Sequence, residues 1–150
     1  MCLEDQIRQS MNENGIPVEC KEHEPVYTNP AMAIALGVKE SETVKSLVVK
    51  TKEGNFAVLV LPGDKRMDWK LVASQTRSKK VGFAKPEEVL EVIGCEVGCV
   101  PPFGHITKLP VLMDSELLKK DSVYFNPGVH DKSFRIKPRD LRALCKAQII

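Results

Sequence analysis

The sequence lacks a long hydrophobic run and has very little net charge. Its longest uncharged segment, residues 25–38, has 14 residues with two prolines and a glycine, whereas a membrane-spanning helix needs about 20 mostly apolar residues. Residues 1–5 are acidic and lack the basic and apolar regions of a secretory signal. A net charge of +2 excludes a strongly cationic nucleic-acid coat protein. We therefore expect a cytoplasmic protein with no membrane partner.

The number of cysteines is odd, and the chain contains no repeat, linker or low-complexity segment. Five cysteines agree with a reducing compartment in which thiols stay free. Leucine, isoleucine, valine and phenylalanine make up more than a quarter of the 150 residues, above the level of about 20% that is typical of disordered chains. We therefore expect residues 1–150 to form a single domain that needs no disulfide or metal for stability.

Charge is distributed unevenly along the chain. Residues 1–24 have a net charge of −4, whereas residues 65–85 carry +6 and residues 132–146 carry +5. If the two basic segments share a face, they create a positive field that suits a polyanion, and salt would weaken that binding. The alternative is an ordinary solvated surface rich in lysine.

Apolar spacing and capping residues predict several short helices. The first contains Leu3, Ile7 and Met11 and ends near Gly15. The second begins at Thr28 or Asn29, has Pro30 in its first turn and ends before Gly37. Further helical segments are predicted to begin at Asp68, Pro86, Asp114 and Pro138.

Runs of β-branched residues predict a mixed sheet. Residues 45–51 and 56–61 form a hairpin of central strands, and Pro62 and Gly63 then fit the second and third positions of a type II turn. Shorter strands are predicted at residues 80–84, 110–113, 122–125 and 133–136. Helices interleaved with strands and hairpins favour an α/β fold with a mixed sheet flanked by short helices.

Residues 94–105 form a constrained segment with three glycines and two prolines. This composition excludes a helix and a central strand. Glycines let backbone amides approach a ligand closely, and prolines hold a loop in shape before binding. Composition alone leaves open whether the segment is an ordinary tight loop or a binding loop.

Several motifs surround this segment in a recognisable order. They are Val44-Lys45-Ser46-Leu47-Val48-Val49, the Pro62-Gly63-Asp64-Lys65-Arg66 turn, Gly98-x-x-x-Pro102, residues 109–114, residues 124–128, and Asp140-Leu141. Together they resemble the YbaK family of aminoacyl-tRNA deacylases, which is related to the editing domain of bacterial prolyl-tRNA synthetases. The resemblance implies a compact α/β fold around a mixed, barrel-like sheet. It also implies hydrolysis, without a cofactor, of the ester that joins a wrong amino acid to the 3′ end of a tRNA.

The resemblance also assigns roles to individual residues. Lys45 matches the family's functional lysine, whose ammonium would contact a phosphate or ribose of the acceptor end and orient the ester. Gly98 and Pro102 belong to the loop that faces the aminoacyl group, where backbone N–H groups would stabilise an oxyanion. No side chain is expected to act as a general base. The predicted substrate-binding residues are Cys99, Val100, Pro101, Phe103, Gly104, His105, Gly128 and His130, and the predicted tRNA-binding residues are Lys65, Arg66, Lys79 and Lys80.

The expected partner is the acceptor stem of a mischarged tRNA, and prolyl-tRNA synthetase is a candidate protein partner. The leading substrate is tRNA(Pro) that carries alanine, cysteine, serine or threonine. Pro101-Pro102 stands where some relatives have Ser-Pro or Thr-Pro, which leaves the preferred amino acid open. Two other functions stay open: a non-catalytic module that binds tRNA or a synthetase, and a small-molecule esterase.

Two other kinds of chemistry are weaker alternatives. Cys99 activated by His105 would be a thiolate nucleophile, but a free cysteine more often lines a pocket as a small apolar residue. Cys20 and His23, together with Cys95 and Cys99, would supply four zinc ligands, but their spacing is irregular. We therefore expect no metal site. His105 and His130 are equally suited to substrate contact and to loop stabilisation.

Overall fold

The computed structural model describes residues 2–98, 100–103 and 108–150, which form a mixed α/β fold. Within them, the order is α1 (Leu3–Glu13), β1 (Glu19–Glu22), α2 (Asn29–Leu36), β2 (Val44–Thr51), β3 (Phe56–Pro62), α3 (Trp69–Thr76), β4 (Val81–Phe83), α4 (Pro86–Ile93), β5 (Val111–Met113), β6 (Val123–Phe125), β7 (Lys132–Ile136), α5 (Pro138–Cys145) and β8 (Gln148–Ile149). Two 3-10 helices lie at Glu40–Glu42 and Ser115–Lys119. In the part of the chain described here, no helix has the length and apolarity needed to span a membrane.

Several helix boundaries coincide with the capping residues that the sequence predicts. At the start of α2, the Thr28 hydroxyl accepts a hydrogen bond from the Ala31 N–H at 3.2 Å, and Gly37 ends the helix with a φ of 69°. Asp68 caps α3 by accepting a hydrogen bond from the Leu71 N–H at 3.1 Å. Such caps satisfy backbone donors that have no partner inside the helix. The predicted helices are therefore confirmed.

The strands form two sheets. The larger has the order β4-β2-β3-β5-β8 and is mixed, because β2 runs antiparallel to β3 and β4 whereas β5 runs parallel to β3 and β8. The smaller, β1-β7-β6, is antiparallel. A parallel bridge between Thr43 and Tyr124 links the two sheets. The mixed sheet is confirmed, but barrel-like closure is not, because the described strands remain in two sheets.

The hydrophobic core lies on both faces of the larger sheet. Val58 and Val60 of β3 belong to a main cluster that joins α1 to both sheets. Leu59, between them on the strand, belongs with Val72 of α3 to a second cluster. Alternating side chains point to opposite faces of a strand, so β3 is covered on both sides. This central strand gives the neighbouring β2 a rigid support.

The turn after β3 differs from the predicted type II turn. The Lys65 N–H donates to the Pro62 carbonyl at 3.0 Å, so the turn begins one residue later than predicted. Gly63 does not have the positive φ that the third position of a type II turn requires. Glycine is needed here for another reason. A Cβ at this position would collide with Thr43 Oγ1 and would lie 2.7 Å from the Glu40 carbonyl oxygen.

Candidate active site

The backbone of β2 directs alternate residues to its two edges. The Thr43 carbonyl accepts a hydrogen bond from the Gly63 N–H at 2.8 Å, and the Thr51 N–H donates to the Asn55 carbonyl at 2.8 Å. Odd-numbered residues of β2 therefore direct their backbone groups towards β3, as the antiparallel ladder requires. Even-numbered residues direct theirs towards the opposite edge.

This opposite edge of β2 has a gap in its pairing at Ser46. On one side of the gap, the Ala84 N–H donates to the Val48 carbonyl at 3.0 Å, and β4 pairs with β2 only beyond that point. On the other side, Thr43 forms the bridge to Tyr124. Within the described residues, no strand pairs with Ser46 at this edge. The N–H and carbonyl of Ser46 are thus directed into the space between the two sheets' edges.

A pocket of about 290 Å³ lies along this gap. Its lining residues come from β2, from the end of β4 with the start of α4, and from the segment that contains Gly98: Ser46, Leu47, Val48, Phe83, Ala84, Pro86, Val97 and Val100. Most of these side chains are apolar, and Ser46 contributes a hydroxyl. Pockets for drug-sized ligands begin at about 300 Å³, so this one has room for the side chain of an amino acid.

Lys45 precedes Ser46 on β2, so its side chain points to the other face of the sheet. Its ammonium donates a hydrogen bond to the Lys65 carbonyl oxygen at 2.5 Å. The Lys65 ammonium in turn lies 2.6 Å from Asp114 Oδ2. The Asp114 residue is only 6% exposed, whereas the Lys65 side chain is 43% exposed. The turn after β3 therefore fixes the position of the Lys45 ammonium, and Lys65 is engaged in an ion pair.

A buried polar network holds the start of β2. The hydroxyl of Thr43, which is fully buried, donates to the Glu40 carbonyl at 2.7 Å and accepts from Asn29 Nδ2 at 3.0 Å. Asn29 Nδ2 also donates to the Val44 carbonyl at 3.1 Å. Because buried polar groups cost stability when unpaired, this network ties α2 and the turn at Gly63 to the residue that precedes Lys45.

The described part of the 98–102 loop is fixed at Gly98. This glycine has a φ of 96°, a conformation that favours glycine, and its carbonyl accepts a hydrogen bond from Asn126 Nδ2 at 2.9 Å. A Cβ at this position would lie 3.1 Å from the Tyr27 carbonyl oxygen. Asn126 Oδ1 is buried and has no hydrogen-bond partner among the residues that the structure describes. Glycine thus lets the loop approach the segment that contains Tyr27.

His130 lies beside Gly98 and is held on three sides. Its ring centroid is 4.4 Å from that of Tyr27. Its Nδ1 is 3.1 Å from the Val26 carbonyl oxygen, and its Nε2 is 3.1 Å from Glu96 Oε2. A Cβ at Gly98 would be 3.8 Å from His130 Cε1. The structure therefore brings His130 and Gly98 together, and the contact of His130 with substrate stays a prediction.

The remaining predicted substrate-binding residues occupy different environments. Val100 lines the pocket. Pro101 and Pro102, which follow it in the sequence, are both buried. Phe103 has no exposed surface and packs against Phe125 with 5.2 Å between ring centroids, which is a core position.

Gly128 packs against α1, where an added Cβ would lie 2.9 Å from Leu3 Cβ. The predicted roles of Phe103 and Gly128 in substrate binding stay predictions. Cys99, Gly104 and His105 lie outside the described residues.

The predicted tRNA-binding residues lie on the surface of the segment around α3. Arg66, Lys79 and Lys80 are exposed. Near Lys80, the Ser78 hydroxyl donates to Glu53 at 2.9 Å, and this bond holds the pKa of Glu53 below its usual value. The contact of Arg66, Lys79 and Lys80 with tRNA stays a prediction.

A second lowered carboxylate pKa lies where α4 meets β2. The Lys50 ammonium is 2.6 Å from Glu88 Oε2, and the hydrogen bond lowers the pKa of Glu88. The pair links α4, whose first residue lines the pocket, to the strand that carries Lys45.

The alternative zinc site has no assembled ligand set in the described part of the chain. Within residues 2–98, 100–103 and 108–150, no three His, Cys, Asp or Glu side chains are grouped to hold a metal ion. Cys20, His23 and Cys95 therefore do not converge.

Of the eight residues that line the pocket, only Val100 belonged to the predicted site; Ser46 and Phe83 are among those that were missed. Ser46 lies between Lys45 and the apolar residues 47–49 of β2, and its position next to the predicted functional lysine was the available signal. Phe83 belonged to a predicted strand, but its place beside the pocket depends on where β4 ends along β2, which sequence spacing does not show.

Comparison with known proteins identifies the family of this chain. A family model for the aminoacyl-tRNA editing domain matches residues 23–144. The multifunctional Ser/Thr-tRNA deacylase ProXp-y of Escherichia coli is 29% identical over 145 residues, which cover 93% of this chain and 86% of that protein. The prolyl-tRNA editing protein ProX of Acetoanaerobium sticklandii is 26% identical over 131 residues, 84% of this chain and 80% of that protein.

A solved structure shows the same fold. The crystal structure of a proposed trans-editing enzyme for prolyl tRNA synthetase superposes with a TM-score of 0.86 at 29% identity, and the match covers 100% of this chain and 96% of that one. The family model spans most of the chain, including β2, the described part of the 98–102 loop and His130. The chain belongs to the aminoacyl-tRNA editing domain family.

Proposed function

We propose that residues 1–150 act as one trans-acting deacylase domain that hydrolyses the ester bond of a mischarged aminoacyl-tRNA. The observation that carries this proposal is the small apolar pocket between the Ser46 gap of β2 and Val97 and Val100 of the loop segment. Family membership supports it, as do relatives named as a Ser/Thr-tRNA deacylase and a prolyl-tRNA editing protein.

In the proposed mechanism, the pocket receives the side chain of the wrong amino acid. Lys45 exchanges its bond to the Lys65 carbonyl for a phosphate or ribose oxygen of the acceptor end and so orients the ester. Backbone N–H groups of the 98–102 loop stabilise the oxyanion that forms when water attacks the carbonyl carbon. An ester is already activated compared with an amide, and no side chain is assigned as general base.

The pocket has room for small amino acids, and we retain alanine, cysteine, serine and threonine on tRNA(Pro) as the proposed substrates. A pocket distinguishes one methylene by only about 1–3 kcal/mol, and an apolar pocket does not strongly reject an added hydroxyl. The Ser46 hydroxyl gives a polar partner for such a group. We therefore propose a graded preference. The proposed link to prolyl-tRNA synthetase is functional: this domain would remove amino acids that the synthetase attaches wrongly to tRNA(Pro).

Single-turnover deacylation of mischarged tRNAs tests the function. Wild type, Lys45→Ala and the control Lys21→Ala are compared on alanyl-, cysteinyl-, seryl- and threonyl-tRNA(Pro). Lys21 is an exposed lysine on β1 of the smaller sheet, so it matches the charge change away from the pocket. A hydrogen bond to a charged group contributes about 1.5–3 kcal/mol. Lys45→Ala should therefore lower kcat/KM about 10- to 150-fold, and Lys21→Ala should not.

The outcomes separate the competing functions. If wild type binds these tRNAs but hydrolyses none, the chain is a binding module. If it hydrolyses a short aminoacyl ester as fast as the full tRNA, with no effect of salt, it is a small-molecule esterase. Full activity of folded Lys45→Ala would contradict the role given to that lysine.

A further inference from the structure

Two aromatic side chains form an exposed pair at the rim of the pocket. Trp69, the first residue of α3, is 37% exposed, and Phe83, the last residue of β4, is 60% exposed. Their ring centroids lie 4.9 Å apart in an edge-to-face arrangement. Phe83 also lines the pocket with Val97 and Val100. Large aromatic side chains at this exposure leave apolar surface in water, which often marks a binding surface.

The strand register places this pair on the same face of the sheet as Lys45. Phe83 is paired with Val49, and cross-strand partners share a face. Lys45 is four residues before Val49 on β2, an even number, so its side chain is on that face too. Four residues of strand span about 13 Å. A short run of unpaired nucleotides can therefore extend from Lys45 towards the aromatic pair.

The aromatic pair belongs to a segment of the chain that is rich in basic residues. Residues 65–85 contain seven basic residues and a single acidic residue, Asp68. Lys70 follows Trp69, and Lys85 is two residues beyond Phe83; both are exposed. Asp68 Oδ1 accepts the Leu71 N–H as the cap of α3. A basic surface with exposed aromatic rings is the combination that binds single-stranded nucleic acid, because phosphates pair with lysine and bases stack on the rings.

We infer that the Trp69–Phe83 pair is a stacking platform for the unpaired nucleotides at the 3′ end of the tRNA. This inference rests on the function proposed above. With the ester near Lys45, a base of the acceptor end lies against the two rings, and its phosphates face the lysines around them. The platform binds the part of the substrate that is common to all tRNAs, so it contributes affinity without selecting the amino acid.

Trp69 is the single tryptophan of the chain, which makes it a reporter for the test. Wild type is titrated with an RNA hairpin that carries no amino acid and ends in unpaired CCA. A blunt hairpin with the same number of phosphates is the comparison. The first should quench Trp69 fluorescence, and the second should not. Phe83→Leu should weaken binding of the first about 5- to 150-fold, which corresponds to about 1–3 kcal/mol of stacking energy per base, and Phe83→Tyr should restore it.

The matched control is Leu90→Ala, because Leu90 is 54% exposed on α4 and does not line the pocket. It should bind as wild type does. In deacylation, Trp69→Leu, which leaves the pocket lining intact, should raise KM more than it changes kcat, since stacking is the same in the ground and transition states. Trp69→Leu, measured with a fluorescently labelled hairpin, should show the same loss of affinity. This variant tests the second ring of the pair independently.

Equal quenching by the two hairpins, or wild-type affinity of folded Phe83→Leu, would overturn the inference. So would sedimentation that shows a dimer disrupted by Phe83→Leu with RNA binding unchanged, because the rings would then be a contact between two copies of the chain. The titration uses RNA without an attached amino acid, so it does not depend on hydrolysis. A protein that is quenched by the CCA hairpin but hydrolyses nothing therefore supports the platform and contradicts the deacylase, and normal hydrolysis with an unchanged KM in Trp69→Leu does the reverse.

Discussion

Asp114 connects two features of the site, and its substitution tests whether they contribute separately to stability. One carboxylate oxygen accepts the Glu116 N–H at 2.8 Å and caps the second 3-10 helix, and the other lies 2.6 Å from the Lys65 ammonium. Asn keeps the capping oxygen, whereas Ala removes both contacts. The half-exposed lysine places the ion pair near the upper end of surface pairs, about 1 kcal/mol. The lost cap adds about 1 kcal/mol.

These magnitudes give a measurable order of stabilities. One kcal/mol shifts Tm by about 2–4 °C for a chain of this size. Asp114→Asn should therefore lower Tm by about 2–4 °C and Asp114→Ala by about 4–8 °C, measured by circular dichroism at fixed ionic strength. Lys65→Met should lower Tm by more than Asp114→Asn does, because it leaves the buried carboxylate without its cation, and the double variant should cost less than the sum of the two.

A control uses the ion pair between Lys119 and Glu116 at 3.0 Å, whose side chains are both well exposed. Lys119→Met should change Tm by less than Lys65→Met, because exposed pairs contribute little. Equal losses for Asp114→Asn and Asp114→Ala would refute the separation into a cap and an ion pair. Full additivity of Asp114→Asn and Lys65→Met would show that the two side chains do not interact.

Two further predictions concern stability. Gly63→Ala should lower the free energy of unfolding by about 1–3 kcal/mol, the usual cost of overpacking, since the new Cβ has no space beside Thr43 and Glu40; urea denaturation measures it, and a neutral result would contradict the packing. Burial raises the pKa of Glu4, but hydrogen bonds from Lys132 and Arg8 outweigh it and hold that pKa below 4.5. Ionised Glu4 therefore stabilises the fold above about pH 4.5, and this contribution disappears as pH falls through the lower folded-state pKa. Unfolding measured between pH 3 and 7 should show a smaller acid loss in Glu4→Gln than in wild type.

Elements with strong local signals could be predicted from the sequence. The caps at Thr28 and Asp68 and the glycine at 37 act within one helical turn, so the residues that decide these boundaries are adjacent in sequence. The hairpin of β2 and β3 likewise depends on two neighbouring β-branched runs. Local structure of this kind needs no knowledge of the tertiary fold.

Elements that depend on distant partners were missed. β1 (Glu19–Glu22) is mostly charged and has no apolar alternation, yet it pairs through its backbone with β7, more than a hundred residues later. β8 (Gln148–Ile149) is too short to show a pattern and exists because it extends the sheet beside β5. The type II turn was wrong for a related reason. The proline and glycine fit a local rule, but Gly63 is required by its packing against Thr43 and Glu40.

The candidate site shows the same division. Lys45 and the 98–102 loop were predicted through the family resemblance. The pocket between them was not, because it arises where β4 ends at Phe83 and leaves Ser46 uncovered. The end of a strand relative to its neighbour is a property of the sheet, and one-residue differences in register decide which side chains reach the gap.

The arrangement of Lys45 and Ser46 suggests how the two halves of the proposed site stay aligned. They are consecutive on one strand, so the lysine is on one face and the pocket residue on the other. β2 is fixed between β3 and β4, and the Thr43 network fixes its start. The acceptor of the Lys45 ammonium belongs to an element that does not line the pocket, the turn that ends at Lys65. A displacement of this turn would change the orientation of the lysine and leave the pocket intact. Variants of the turn should therefore affect kcat more than they affect the choice of amino acid, whereas variants of Ser46 should do the opposite.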